Sequence, residues 1–305
     1  MSGASVTAPR GLARVPAPVL AITAMVSVQL GAAIAKDHFD EVGPIGAATL
    51  RLTVGAVVLW LVVRPAVHRW TRSQWLAAIG LGLALGGMNV FIYVAFASIP
   101  IGIAVTIEFL GPLTLSLVHT RRWRDVLWAV LALAGVVLLG SGSTGAAQLL
   151  GIVFAVLAAA CWAGYIVMNR FVGARIPGVD GLCVSLAVSM LVSLPFGTGQ
   201  AVDGVRGAPV LLVVFLAVGV LSSVLPYALE MLALRRIPTR VFGVLQSLGP
   251  AIAALAGFVI VGEALTVVEL VALVCVSVAS IGVTVASRRG SGGREARMAA
   301  SVPDA

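Results

Sequence analysis

Long apolar stretches follow one another along almost the whole chain, separated by short polar segments. Each stretch is roughly 17–23 residues long, and about 20 residues of helix span the hydrocarbon core of a bilayer. The predicted spans are residues 17–35, 44–63, 75–97, 101–118, 125–141, 148–168, 181–197, 209–229, 240–261 and 266–286. The pattern predicts an all-α polytopic membrane protein with ten transmembrane helices.

Composition supports a membrane protein. The 305 residues are 60% hydrophobic and 10% charged, with a mean hydropathy of +1.09. Soluble domains carry about 25% charged residues, so this chain cannot cover a water-facing surface in the usual way. The loops leave no room for a soluble domain, and we expect disordered, polar tails at 1–16 and 287–305.

The basic residues predict the orientation in the membrane. If the amino terminus is cytoplasmic, seventeen of the twenty basic residues fall in cytoplasmic segments. This asymmetry follows the positive-inside rule and predicts that both termini lie in the cytoplasm. The basic residues sit in short patches at membrane ends, which is typical of topology signals and lipid contacts rather than of a nucleic-acid surface.

Several chemistries lack the residues they need. The three cysteines lie in separate spans and the three histidines form no metal-binding pattern. The glycine-rich GSGSTG at 140–145 lacks the lysine of a phosphate loop, and no GxSxG nucleophile motif occurs. We therefore expect no enzyme activity, no metal and no cofactor.

A motif occurs twice at corresponding spans. IPIGIAVTIEFLGP at 99–112 recurs as IPTRVFGVLQSLGP at 237–250. Two halves of five helices each must enter the membrane in opposite senses, as in the inverted repeats of secondary transporters, whose sites lie where the halves meet. We therefore predict one repeat at 17–141, an extracellular linker at 142–147 and a second repeat at 148–286.

The prolines of this motif bear on the polar residues beside them. Proline lacks an N–H and clashes with the carbonyl four residues earlier, which belongs to Glu108 for Pro112 and to Gln246 for Pro250. Such freed carbonyls are tolerated at membrane depth only against protein or a wet cavity. We predict that Pro112 and Pro250 are hinges and that Glu108 and Gln246 line a transport path.

Four polar residues of the first half lie at nearly one depth. At about 1.5 Å per residue, Glu108 and Asn89 lie roughly 12 Å, and Arg51 and Gln29 about 10 Å, from the outer ends of their spans. An arginine and a glutamate at one level can neutralise each other. Gln29 and Asn89 can equally be interhelical hydrogen-bond partners and Arg51 a purely structural one. Together the four residues are typical of a cavity lining.

These motifs resemble those of a known family. The five-plus-five arrangement resembles the EamA-type drug/metabolite transporters, and several segments are similar to the bacterial threonine/homoserine exporter branch. These are SVQLGAAIAK (27–36), GGMN (86–89), IPIGIAVTIEFLGPL (99–113), CWAGYI (161–166), LPYALEMLALRRIPTR (225–240) and VGEALT (261–266). The Gly-Glu pair that often ends the fourth span of each repeat is present only in the second half, at 262–263. The first half has HTRR (119–122) there instead, so generic site assignments do not transfer to it.

The resemblance implies efflux of small neutral amino acids across the bacterial cytoplasmic membrane, and adds Tyr165 and Tyr227 to the candidate site. A zwitterion could place its ammonium on Glu108 and its carboxylate on Arg51, while inward proton flow drives outward solute flow. The expected partners are the amino acid, protons and the lipid bilayer, with no nucleic acid. The oligomeric state is left open, a homodimer being one option. Two alternatives also stay open: another metabolite or drug as cargo, and a structural or assembly protein without transport.

Overall fold

The computed structural model describes residues 15–118, 145–176, 179–234, 236–237 and 239–286, together with single residues between 127 and 138. The helices are α1 (Ala17–Asp37), α2 (Phe39–Val42), α3 (Pro44–Val63), α4 (Arg72–Phe96), α5 (Ile101–Glu108), α6 (Leu110–Val118), α7 (Ala146–Arg175), α8 (Asp180–Gly207), α9 (Leu211–Gly219), α10 (Leu225–Leu234), α11 (Thr239–Gln246), α12 (Gly249–Ala256) and α13 (Val267–Ala286). A 3₁₀ turn at Val67–Arg69 and π turns at Val220–Val224 and Gly257–Val261 complete this part of the chain, which contains no strand.

The helices are suited to a membrane. Seven helical segments are long and apolar enough to cross one, and shorter apolar helices cover Ile101–Leu115 and Val267–Gly282. Large apolar side chains such as Val62, Phe258 and Val267 are more than half exposed, which is costly in water but not in lipid. The predicted all-α membrane fold is confirmed. The fifth predicted span, 125–141, lies mostly outside the described residues, so the count of ten and the inverted repeat stay predictions.

Helix α8 continues to Gly207, well beyond the predicted end at residue 197. Its second half carries glycines and polar residues that lowered the hydropathy. The structure packs that half against α2 and the start of α3, where Gly204 contacts Val42 and the Gln200 side chain accepts a hydrogen bond from the Gly46 N–H at 3.0 Å. Gly197, Ala201 and Gly204 are buried in these contacts, whereas Gln200, Asp203 and Arg206 are exposed and end the apolar pattern although the helix continues.

Helix α4 packs against both α7 and α8. Ser185 Oγ donates to the carbonyl of Ala78 at 2.9 Å, and Ser189 Oγ donates to that of Gly82 at 3.0 Å. A Cβ on Gly82 would lie 2.5 Å from Val188. Small residues let helix backbones approach this closely in lipid, where packing and hydrogen bonds drive association.

Both copies of the proline motif interrupt a helix. Helix α5 ends at Glu108 and α6 begins at Leu110, whereas α11 ends at Gln246 and α12 begins at Gly249. Pro112 and Pro250 each lie in the first turn of the following helix, where a missing N–H breaks no helical hydrogen bond. The structure thus places a helix end at Glu108 and at Gln246, the two residues whose carbonyls the prolines deprive of a partner.

Candidate functional site

A cavity of about 210 Å³ lies where the interrupted helices meet. It is lined from both predicted repeats, and its apolar walls include Met25, Met88 and Trp162. Its polar lining residues are Gln29, Arg51, Glu108, Tyr165, Ser222, Tyr227, Glu230 and Gln246. Six of the seven polar residues predicted from the sequence are therefore brought together.

Arg51 is anchored at one wall of the cavity. Its Nη2 donates to the Ser222 carbonyl at 3.1 Å and its Nη1 to the Tyr93 hydroxyl at 3.3 Å. The guanidinium carbon lies 5.5 Å from the centre of the Tyr93 ring, which is itself fully buried. The buried Nε has no hydrogen-bond partner among the described residues. Arg51 is thus held in place through two of its five N–H groups, and the Nε–H is among those left unused.

Pro226 explains why the Ser222 carbonyl is available. Proline cannot donate to the carbonyl four residues earlier, Ser222, or five residues earlier, Leu221, which lies in the same π turn. Ser27 Oγ donates to the Leu221 carbonyl at 2.6 Å, and Arg51 donates to the Ser222 carbonyl. Two side chains of the first predicted repeat, Ser27 and Arg51, thereby donate to the backbone carbonyls of the second repeat that Pro226 cannot serve. The sequence carried this signal, since the argument used for Pro112 applies equally to Pro226.

Glu108 faces the same cavity without a direct ion pair. It is 8% exposed, and no nitrogen of Arg51 lies within 4.0 Å of its carboxylate. No hydrogen bond to the Glu108 side chain occurs among the described residues, although the Arg51 charge acts on it electrostatically. Arg51 and Glu108 thus line one cavity and leave space between them.

The two helix interruptions touch beside Glu108. A Cβ on Gly249 would lie 3.0 Å from the Phe109 ring, so only glycine fits there without a shift. Phe109 also meets Trp162 edge-to-face, with ring centres 4.9 Å apart. The break in each half therefore packs on the other at the cavity wall.

Glu230 is a second cavity carboxylate that the sequence analysis missed. Gln246 and the phenols of Tyr165 and Tyr227 line the same cavity as Glu230. The predicted eighth span ended at residue 229, which put Glu230 in a loop, whereas α10 continues to Leu234. A lone acid within an apolar helix was the available signal.

Asn89 does not line the cavity. Its side chain is 3% exposed, and its Nδ2 donates to the Leu85 carbonyl of its own helix at 2.8 Å. Gln29, in contrast, reaches the cavity from α1. Of the polar layer predicted in the first half, Gln29, Arg51 and Glu108 share the cavity and Asn89 stays within helix packing.

An ion pair between Lys36 and Glu263 joins three segments of the chain at the C-terminal end of α1. Lys36 Nζ lies 2.5 Å from Glu263 Oε1 and donates to the Ile99 carbonyl at 2.9 Å. Glu263 Oε2 accepts the N–H of Ile101 at 2.9 Å, in the first turn of α5. Both charged side chains are about 15% exposed or less. At about 1.5 Å per residue, Ile101 is roughly 10 Å along the helix from Glu108.

Interrupted apolar helices around a charged cavity are the architecture of a membrane transporter. The chain belongs to the EamA-like transporter family, whose model matches residues 149–285. It is 41% identical over 281 residues to the threonine/homoserine exporter RhtA of Salmonella typhimurium, covering 89% of this chain and 92% of that one. With RhtA of Escherichia coli the identity is 40% over 275 residues, covering 90% and 92%.

A solved crystal structure shares the fold. It matches with a TM-score of 0.57 and 22% identity, over 90% of this chain and 99% of that one. The predicted family is confirmed by the comparisons, and the protein is a multi-span membrane transporter with bacterial relatives, not an enzyme.

Proposed function

We propose that this protein exports small neutral amino acids, with threonine and homoserine as the leading candidates, in exchange for protons across the bacterial cytoplasmic membrane. The observation that carries the proposal is that Arg51 and Glu108 border one cavity of about 210 Å³ without forming an ion pair with each other. The names of the curated relatives supply the substrate class.

A zwitterionic amino acid fits between these charges. Its carboxylate would meet Arg51, whose planar guanidinium suits a carboxylate and whose Nε has no partner among the described residues. Its ammonium would meet Glu108. Gln29 and the hydroxyl of Tyr227 or Tyr165 line the same space and can hydrogen-bond a side-chain hydroxyl.

Proton coupling follows if Glu108 holds either a proton or the substrate ammonium, never both. Binding the amino acid then releases a proton, and a proton binding from the other side releases the amino acid. Such an exclusive choice is strongest at a site away from water, where an ionised carboxylate without a positive partner is costly.

Alternating access requires that the cavity open to one side at a time. The Lys36–Glu263 ion pair ties α1, the start of α5 and the end of the π turn after α12, and so supports a closed outer side. With both termini cytoplasmic, the ten predicted spans form two inverted repeats, and the interruptions at Phe109 and at 247–248 supply the hinges.

The test is an efflux panel in bacterial cells that overproduce candidate solutes. Export of threonine or homoserine on expression, and not of a large aromatic amino acid or a cationic drug, is expected. Export of another metabolite or of a drug in preference to these amino acids would show that the proposed substrate is wrong. A purified protein whose thermal unfolding responds to no amino acid, with no efflux in cells, would favour the structural or assembly role instead.

A further inference from the structure

The cavity is lined by two carboxylates, whereas the single ammonium of a zwitterion needs only one. Arg51 and Glu108 account for the two charges of an amino acid, yet Glu230 also lines the cavity. Glu230 lies eight residues after Ser222, which is roughly 12 Å along the helix. The Ser222 carbonyl is the group that holds Arg51. An α-amino acid carries one ammonium and one carboxylate, so a molecule that places them on Glu108 and Arg51 leaves Glu230 without an ionic partner.

Glu230 faces the end of the fold at which α1 begins. Arg236, just past α10, donates from Nη1 to the carbonyl of Val15 at 3.3 Å, which places the end of α10 beside the start of α1. The Lys36–Glu263 ion pair lies at the other end of α1. Glu230 therefore stands between the Arg51–Glu108 pair and the membrane face opposite that ion pair.

The neighbours of Glu230 suit a group that gains and loses a proton. Gln246 lines the same cavity, and a side-chain amide can both donate an N–H to a carboxylate and accept the O–H of an acid. Tyr165 from α7 and Tyr227 from its own helix are the titratable groups that face it. Arg51 from α3 acts on Tyr227 and Glu108, and α1 contributes only uncharged residues to the cavity wall. Tyr227 lies three residues before Glu230 on α10, about one helical turn closer to Ser222, and lines the same cavity.

We propose that Glu230 is the proton-carrying group that connects Glu108 with water on the side where α1 begins, and that it does not bind the amino acid. When an ammonium displaces the proton of Glu108, that proton passes through the Tyr227 hydroxyl to the Glu230 carboxylate. The new O–H bond on Glu230 then breaks, and the proton goes to a water molecule at the mouth. This inference rests on the proposed function.

Gln246 gives the transfer a structural consequence. It is the last residue of α11, directly before the interruption at 247–248. A change in the protonation of Glu230 therefore takes place in the cavity wall that this hinge residue shares.

The test compares two fluxes in proteoliposomes containing the full chain. Threonine–threonine exchange needs no net proton transfer, whereas efflux driven by a pH gradient does. For Glu230→Gln we expect exchange within about twofold of the parent and driven efflux lower by at least about tenfold, the scale of a lost acid–base group. Glu230→Asp keeps a carboxyl and should regain much of the driven efflux, while Glu41→Gln, which removes an exposed carboxyl, should change neither flux.

Other results would overturn the inference. Equal losses of exchange and driven efflux in Glu230→Gln, at normal membrane levels, would assign Glu230 to substrate binding or to structure. Undiminished driven efflux would remove it from the proton path. A parent protein that shows exchange without any gradient-driven flux would end the inference while leaving amino-acid transport standing, and a parent with neither flux would refute the proposed function itself.

Discussion

The Lys36–Glu263 ion pair offers a sharp test of alternating access. Glu263→Gln keeps an oxygen that can accept the Ile101 N–H but removes the charge that faces Lys36. Hydrogen bonds to charged groups contribute about 1.5–3 kcal/mol, and partial exposure of both side chains lowers this to about 1–2 kcal/mol. Because each 1.4 kcal/mol is tenfold, we expect the closed outer side to lose roughly 5- to 30-fold in relative population.

Thiol labelling measures that population. Val28 lines the cavity, so a cysteine at this position reacts with a membrane-impermeant reagent from outside only when the outer side opens. The three native cysteines are first replaced. Glu263→Gln should raise the labelling rate by the factor above, and Lys36→Met should do the same. The double variant should add little to either, since both remove one interaction.

Glu41→Gln is the matched control. Glu41 is an exposed acid that follows the end of α1, near the same face of the fold, so its loss changes surface charge without touching the ion pair. An equal rise in labelling for this variant would reduce the effect to surface electrostatics. An unchanged rate in Glu263→Gln, with the protein folded, would refute the closure role of the ion pair.

Three further predictions concern the Glu108 carboxylate, the two prolines and the membrane topology. Glu108→Gln keeps size and hydrogen bonding but cannot titrate, so the variant should reach the membrane and lose pH-driven efflux; undiminished efflux would remove the coupling role. Pro112→Ala with Pro250→Ala supplies an N–H that can bond to the Glu108 and Gln246 carbonyls and so close the two interruptions. The double variant should slow exchange without loss of folding, whereas exchange at the parental rate would exclude the hinges. Reporter fusions after residue 145 should be active outside the cell and those after residue 290 inside, and the reverse pattern would overturn the topology.

Local covalent properties explain what could be predicted from the sequence. Proline removes an N–H wherever it stands, so the interruptions after Glu108 and Gln246 follow from Pro112 and Pro250 without any tertiary knowledge. Depth along a helix is likewise a matter of counting, which is why Gln29, Arg51 and Glu108 were found together.

Tertiary contacts explain what could not be predicted. Asn89 lies at the predicted depth but turns its amide to the Leu85 carbonyl, and depth alone does not fix rotation about the helix axis. Glu230 was lost to a span boundary, since an apolar window ends where polar residues begin even when the helix continues. More than two hundred residues separate Lys36 from Glu263 in the sequence, and only the fold brings the two side chains into contact.

Gradient-driven efflux from reconstituted vesicles tests the central claim most directly. Purified protein is placed in liposomes loaded with labelled threonine or homoserine, and the bath is made more acidic than the lumen. The account predicts that the gradient speeds loss of label and that the lumen acidifies in step with it, because each exported amino acid is exchanged for protons. Loss of label that is independent of the gradient, or equal to that of protein-free liposomes, would contradict proton-coupled export of these amino acids.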